Sequence, residues 1–270
     1  MAIAVDAVIK LGGDVLAPPA LTVVAAEIAR ARAAGRRLVV VHGGGPQTTE
    51  LSRRLGIEPQ LVGGRRITDQ ASLDVVKMVV AGRLNVDLVA ALRAAGVSAV
   101  GLSGSSGVVR ARRRPPRVVS GSGGQAVDFG LVGDVEGIDR VLLDALDAGG
   151  YLPVIACLGA DAGGTTLNIN ADVVASQLAA SLGAAALVAC TAVGGVRRDK
   201  DDPASLLARL TVAEARAAIQ DGVVQGGMIP KLEEAFAPLA AGVGAVHIVA
   251  PAEIAASLAA PGSVGTLLVA

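Results

Sequence analysis

Four lysines occur in the chain, Lys10, Lys77, Lys200 and Lys231, and every other cationic side chain apart from two histidines is arginine. Two of the four touch glycine pairs: Lys10 in VIKLGGD and Lys231 in QGGMIPK. Lysine is a compact point charge that suits a phosphate oxygen. Lys10 ends an apolar run just before Gly12 and Gly13, where bare backbone amides can approach an anion. The bland alternative is a lysine that snorkels at a sheet end. Lys231 opens a helix, and a cation at the positive end of a helix dipole points to an anion meant to sit there. Asp172, in NINADVVASQ, reads either as a plain N-cap or as part of a polar cluster with the alternating Asn168 and Asn170. His42, just before the glycines 43–45, is open between general base and a strand-end histidine held by backbone. His247, in AVHIVA, reads as a packed residue.

The elements that would position these groups follow from the apolar runs. DAVIK (6–10) and RLVVVHGGG (37–45) both run into glycine, with an Ala-rich helical stretch between them closed by Gly35: a parallel βαβ opening. A helix follows at 46–55, another at about 70–96, and a strand at 98–104 that ends in LSGSSG. Three glycine loops at strand ends, 11–13, 43–45 and 102–107, predict an anion site. Residues 108–135 differ, with short β-like runs between Pro-Pro and Gly-Ser-Gly-Gly, and predict antiparallel hairpins laid on the sheet. A helix at 138–149 and the strand YLPVIACLG (151–159) resume the alternation. Then come a loop at 160–172, helix 172–182, strand 185–193, helix 212–220, helix 230–240, strand AVHIVA, a short helix after Pro251 and the closing GSVGTLLVA.

Composition limits the alternatives. The chain is 52% apolar but 1% aromatic, so the core must be Val, Leu, Ile and Ala, as buried parallel strands and Ala-rich helices provide. A formal net charge of zero argues against bulk attraction to nucleic acid or membrane. Cys157 and Cys190 lie in apolar runs and read as buried thiols of a reducing compartment. With no basic n-region or long apolar h-region at the N-terminus, a cytoplasmic location is expected. The uncharged span 173–196 breaks at Gly183 and reads as a helix followed by a strand. No G-x-x-x-x-G-K-S/T sequence occurs, which excludes a Walker-type loop. GSGGQA (121–126) is not followed by a helix and is no dinucleotide fingerprint. The basic run RARRRPPR (110–117) lacks interleaved aromatics and reads as a solvated hairpin.

The series VIKLGG, VVVHGGGPQ, GGRRITD, LNVDLV, AVGLSG, DFGLVGDV, GYLPVI, LNINAD and GGMIPKL resembles the amino acid kinase family, in that family's order and over nearly the whole chain. The resemblance implies an α/β fold, a three-layer α/β/α sandwich with a mainly parallel central sheet and two lobes. Residues 1–182 would bind the amino acid and dimerise; residues 183–270 would bind ATP. It further implies phosphorylation of the side-chain carboxylate of N-acetyl-L-glutamate, with Mg²⁺ bound through ATP and no protein metal site. Lys10 and Lys231 would stabilise the phosphoryl group in flight and Asp172 would orient both. Gly44, Gly45, Arg66 and Asn168 would hold the amino acid, Arg66 on its α-carboxylate. Gly12, Gly13, Thr191, Ala192, Val193, Gly194, Gly195, Val196, Arg197, Val223, Val224 and Gln225 would line the nucleotide.

Two loops depart from the family. Ala192 and Gly194 stand where an acidic residue and then Pro-Gly are usual, with Asp199 or Asp201 as possible substitutes, and Ser106 replaces an aspartate in SGSSG. The chain begins nine residues before Lys10, without room for the extra N-terminal helix of arginine-inhibited hexameric relatives, so an arginine-insensitive homodimer is expected. The rival expectations are a kinase for aminoadipate on an acidic carrier protein, which the arginines at 110–117 would serve, and a non-catalytic sensor of ATP or amino acids.

Overall fold

The computed structural model describes residues 5–119, 121–199, 202–224 and 228–270. Ala7–Leu11, Leu38–His42, Leu152–Ala156 and Ala186–Cys190 are apolar on both faces and almost wholly buried. That pattern requires cover on both sides of a sheet. The sheet has eight strands in the order 209–211, 266–269, 245–249, 186–190, 7–11, 38–42, 152–156, 99–103. Every neighbouring pair is parallel except Ala245–Val249 with Thr266–Val269. Ala20–Ala33 packs with Asn85–Ala94 and Ile254–Ala259, while Ala171–Leu182 packs with Met228–Ala240 and on the central strands. The first strand lies at the middle, flanked by the second on one side and by Ala186–Cys190 on the other. The strand order therefore reverses beside Lys10, and the carboxyl ends there form the crevice where open α/β sheets bind ligands.

The hairpins expected at 108–135 are present. Val109–Arg113 pairs antiparallel with Gly133–Ile138, and Arg117–Val118 with Ala126–Val127. The second hairpin stands apart, while the small sheet that Val109–Arg113 and Gly133–Ile138 begin is wider than the sequence indicates. Leu158–Ala160 and Thr166–Asn168 join it, so the expected loop at 160–172 contains a strand and the expected strand 151–159 divides at Cys157. The helix expected at 138–149 is Val141–Ala148, because pairing carries the preceding strand to Ile138. The helix expected at 70–96 ends at Ala94 and is π-helical over Lys77–Leu84. Gly183, with a left-handed φ of 61°, ends the helix Ala171–Leu182, so the uncharged span does break there. No helix of the described residues is long and apolar enough to cross a membrane.

Candidate active site

A cleft of about 490 Å³ opens at the carboxyl ends of the central strands. Lys10, Gly12, Gly13, Gly44, Gly45, Arg66, Asn168 and Asp172 all line it. Its base is the pair Lys10 Nζ–Asp172 Oδ1 at 2.8 Å, with side chains only 14% and 23% exposed. Burial, the largest single influence on Lys10, pulls its pKa down. The charge and hydrogen bond of Asp172, with the charges of Glu234 and Asp14, outweigh it, and the net shift is upward. Lys10 is therefore a firmly held cation and not a base.

Asp172 is free for this pairing because it is not the helix cap. Asn170 takes that position: its Oδ1 accepts the Asp172 amide at 2.8 Å. The Asn170 amide group also donates to Glu234 Oε1 at 3.4 Å, from a helix 64 positions further along the chain. Asn168 lines the cleft and donates to Thr68 Oγ1 at 3.1 Å.

The two glycine loops touch each other. A Cβ on Gly13 would lie 2.9 Å from Pro46 Cδ and 2.7 Å from Gln47 Oε1, so only glycine permits this approach. Gln47 Nε2 donates to the Gly13 carbonyl at 2.6 Å and ties the loops together. The third glycine loop does not join them. A Cβ on Gly104 would run into the Leu158 carbonyl, so this glycine serves packing between the sheets, and 102–107 is absent from the cleft lining.

Arg66 enters from a two-stranded hairpin, Leu61–Val62 with Arg65–Arg66. Its Nη2 donates to Thr49 Oγ1 at 2.7 Å and to the Gly45 carbonyl at 3.4 Å. Its Nη1 is buried with no hydrogen-bond partner among the described residues, and burial lowers its pKa. A buried guanidinium nitrogen with an unused donor fits a carboxylate oxygen, as a charge-assisted hydrogen bond.

His42 is fully buried. Its Nδ1 bonds the Gly43 carbonyl at 3.0 Å, and Nε2 lies 3.0 Å from Asn85 Nδ2, which also donates to the Val154 carbonyl. Nδ1 is thus the protonated nitrogen and Nε2 the acceptor. Burial pushes its pKa down to about 4. Both nitrogens are spent on structure, which decides against the general base. His247 is buried in its strand as expected. Cys157 and Cys190 are buried free thiols, and burial pushes each up to about 12.

Thr191, Ala192, Val193, Gly194, Gly195, Val196 and Arg197 follow the strand Ala186–Cys190, outside the cleft lining but beside Gly12, whose amide donates to the Cys190 carbonyl. Thr191 Oγ1 is buried without a partner among the described residues. Gly194 and Gly195 have φ of 68° and 136°, a bend open only to glycine. Val196 is anchored through its amide to Thr266 Oγ1 at 2.8 Å. The carboxylate missing at position 192 is met in space by Asp14, whose Oδ2 accepts the Ala192 amide at 2.9 Å. Asp199 binds Ser205 through its own amide; Asp201 lies outside the described residues. Val224 is buried and Val223 half-buried; Gln225 lies outside the described residues.

Lys231 is half-buried in the first turn of Met228–Ala240, but it does not line the cleft and joins no ion pair among the described residues. The residue of its helix that reaches Asp172 is Glu234. Sequence reasoning passed over Glu234, Gln47, Asn170 as the cap, Thr49 and Asp14. Glu234 carried a usable signal, since three residues after Lys231 it shares that lysine's helix face. The basic run at 110–117 is balanced locally: Arg112 pairs with Glu136, Arg113 with Asp128 and the buried Arg114 with Asp134.

A parallel sheet with its glycine loops, cation and buried guanidinium gathered at one crevice defines a protein that handles small anions. Residues 7–250 match the amino acid kinase family, and the chain belongs to that family. Among its relatives, the acetylglutamate kinase of Sorangium cellulosum is 56% identical over 266 residues, covering 97% of this chain and 94% of that protein. The acetylglutamate kinase of Anaeromyxobacter dehalogenans is 52% identical, covering 97% and 98%. Among solved structures, N-acetylglutamate synthase from Neisseria gonorrhoeae, complexed with coenzyme A and N-acetyl-glutamate, superposes with a TM-score of 0.81 at 28% identity. That superposition covers 98% of this chain and 59% of the synthase.

Proposed function

We infer that this chain transfers the γ-phosphoryl group of ATP to the side-chain carboxylate of N-acetyl-L-glutamate, giving an acyl phosphate and ADP in arginine biosynthesis. The observation that carries the reading is the unused Nη1 of Arg66 in the same cleft as the Lys10–Asp172 pair. The guanidinium would grip the α-carboxylate and leave the side-chain carboxylate pointing at the lysine. Gly44 and Gly45 would offer amides to the amino acid, with Asn168 beside them. The nucleophile needs no base, because a carboxylate is already ionised at pH 7. A bond forms from its oxygen to the γ-phosphorus as the bond to the β-phosphate oxygen breaks, and ADP carries away the electron pair.

Catalysis is then positioning two anions and neutralising the charge between them. Lys10, held by Asp172, would serve that task, and Lys231, in the first turn of Met228–Ala240, would be the second cation. Gly12, Gly13 and the bend at 191–197 would hold the phosphates and nucleoside, and the unpartnered Thr191 hydroxyl fits a ligand acceptor there. Among the described residues no three His, Cys, Asp or Glu side chains converge as a metal site. Mg²⁺ would arrive bound to the phosphates, where it would supply charge neutralisation.

The amino-acid lobe would be 1–182 and the nucleotide lobe 183–270, meeting at the left-handed Gly183. The exposed Met78 and Val86 of the long helix, 59% and 63% accessible, support a homodimer, and the buried free thiols support a cytoplasmic setting. The test is trapping of the acyl phosphate with hydroxylamine, using ATP with N-acetylglutamate, glutamate and aminoadipate offered free or on an acidic carrier. Hydroxamate from N-acetylglutamate alone supports the reading. Product only from carrier-bound aminoadipate, or none from any acceptor, contradicts it.

A further inference from the structure

We propose that Glu234 is a positioning residue for the transfer, sharing a proton with Asp172 and thereby setting the charge that the Lys10–Asp172 pair presents to the nucleotide phosphates. The proposal rests on the functional reading above. Glu234 stands on the helix Met228–Ala240, which packs on Ala171–Leu182. It takes a hydrogen bond from Asn170, and its carboxyl group is within hydrogen-bonding reach of Asp172. Asn170, Asp172, Glu234 and Lys10 thus form one network drawn from three elements, with two carboxyl groups facing a single ammonium.

Two carboxylates that close cannot both ionise cheaply, so a proton is retained between them. Burial and then the Asp172 charge raise the Glu234 carboxyl to about 7, against the opposing pull of Lys10 and the Asn170 hydrogen bond. The other charged groups on packed elements face elsewhere or lie further off. Arg216 of the neighbouring helix Val212–Gln220 covers the Phe236 ring, His247 is buried in its strand, and Asp14 acts on Lys10. Lys231 and exposed Glu233 stand on the same helix.

The consequence is a charge choice at the reacting end of the cleft. With Glu234 protonated, Lys10, Asp172 and Glu234 sum to zero and the carboxyl donates to Asp172. With Glu234 ionised they sum to minus one and repel the incoming phosphates. A bound nucleotide adds negative charge, so it favours the protonated form and must draw a proton from solvent as it binds.

Two measurements test this. The first is calorimetric binding of a non-hydrolysable ATP analogue at about pH 7.5 in buffers of different ionisation enthalpy. Net proton uptake in the wild type, lost in Glu234→Gln, is expected; zero uptake, or the same uptake in the variant, overturns the proposal. The second is the pH profile of kcat/KM for ATP. A fall of roughly fivefold above about pH 7 is expected in the wild type, absent in Glu234→Gln and retained in the control Glu233→Gln. A limb that survives in Glu234→Gln overturns it. The binding measurement needs no turnover, so failure of the functional reading, seen as no acyl phosphate, is distinguishable from failure of this one.

Discussion

Arg66 is the residue whose surroundings most narrowly limit what the cleft can hold. Its Nη2 is occupied by Thr49 and Gly45 while Nη1 is buried and unused among the described residues. A charged hydrogen bond contributes about 1.5–3 kcal/mol. Arg66→Ala is therefore expected to lower kcat/KM for N-acetylglutamate by roughly 10- to 100-fold, mostly through KM, as steady-state kinetics at saturating ATP would read. His42 makes a different prediction. Its pKa is depressed to about 4 by burial, so the unfolded chain takes up the proton first as the pH falls. The stability it contributes is complete above about 6.5 and is lost as the pH drops towards 4, a change of about 3 kcal/mol. Urea unfolding across that range should show this loss in the wild type and a flatter response in His42→Asn. Lys10 stood out in the sequence, because a rare residue type beside a glycine pair points to a phosphate, whereas Asp172 stayed open between an N-cap and a polar cluster until the family resemblance gave it a role. Glu234 was passed over although it shares a helix face with Lys231, because its meeting with Asp172 depends on how two helices pack.

At the scale of elements, the start of the helix Ala171–Leu182 shows how a cap can determine chemistry. Asn170 supplies the hydrogen bond an N-cap must make, and this releases Asp172 to hold Lys10. Asn170→Ala is expected to cost about 1 kcal/mol in stability, the ordinary loss for a cap. It should also slow turnover by more than that loss explains, since Asp172 is then drawn to the vacated amides; denaturant melts and kcat on the same preparation separate the two effects. The sequence points to Asp172 as the cap, whereas the helix starts at Ala171 and Asn170 caps it; Asn and Asp cap almost equally well, so residue type could not decide. The strands running into glycine were readable from apolar runs alone. The π-helical stretch Lys77–Leu84 was not, since a helical hydrophobic stripe hardly changes when one turn widens. The strand Thr166–Asn168 was hidden for another reason: three residues carry too little periodicity, and only pairing with Leu158–Ala160 reveals it.

Across the whole molecule, the eight-stranded sheet joins the amino-acid side of the crevice to the nucleotide side through the single strand Ala7–Leu11. If the two sides bind separate ligands, their stabilising effects are separable. A ligand at a hundredfold excess over its Kd adds about 2.7 kcal/mol. N-acetylglutamate and a non-hydrolysable ATP analogue should each raise the melting temperature of the wild type, and Arg66→Ala should lose only the first shift. Lys10, paired with Asp172 at the base of the cleft, is the residue on which the proposed transfer depends. The most direct test is the single-turnover rate of phosphoryl transfer from labelled ATP to N-acetylglutamate in Lys10→Met, with binding of both substrates measured beside it. Loss of one preorganised donor to a developing charge predicts a fall of roughly 10² to 10³ in that rate, with N-acetylglutamate still bound. A transfer rate within a few-fold of the wild type would contradict the assignment of the cleft.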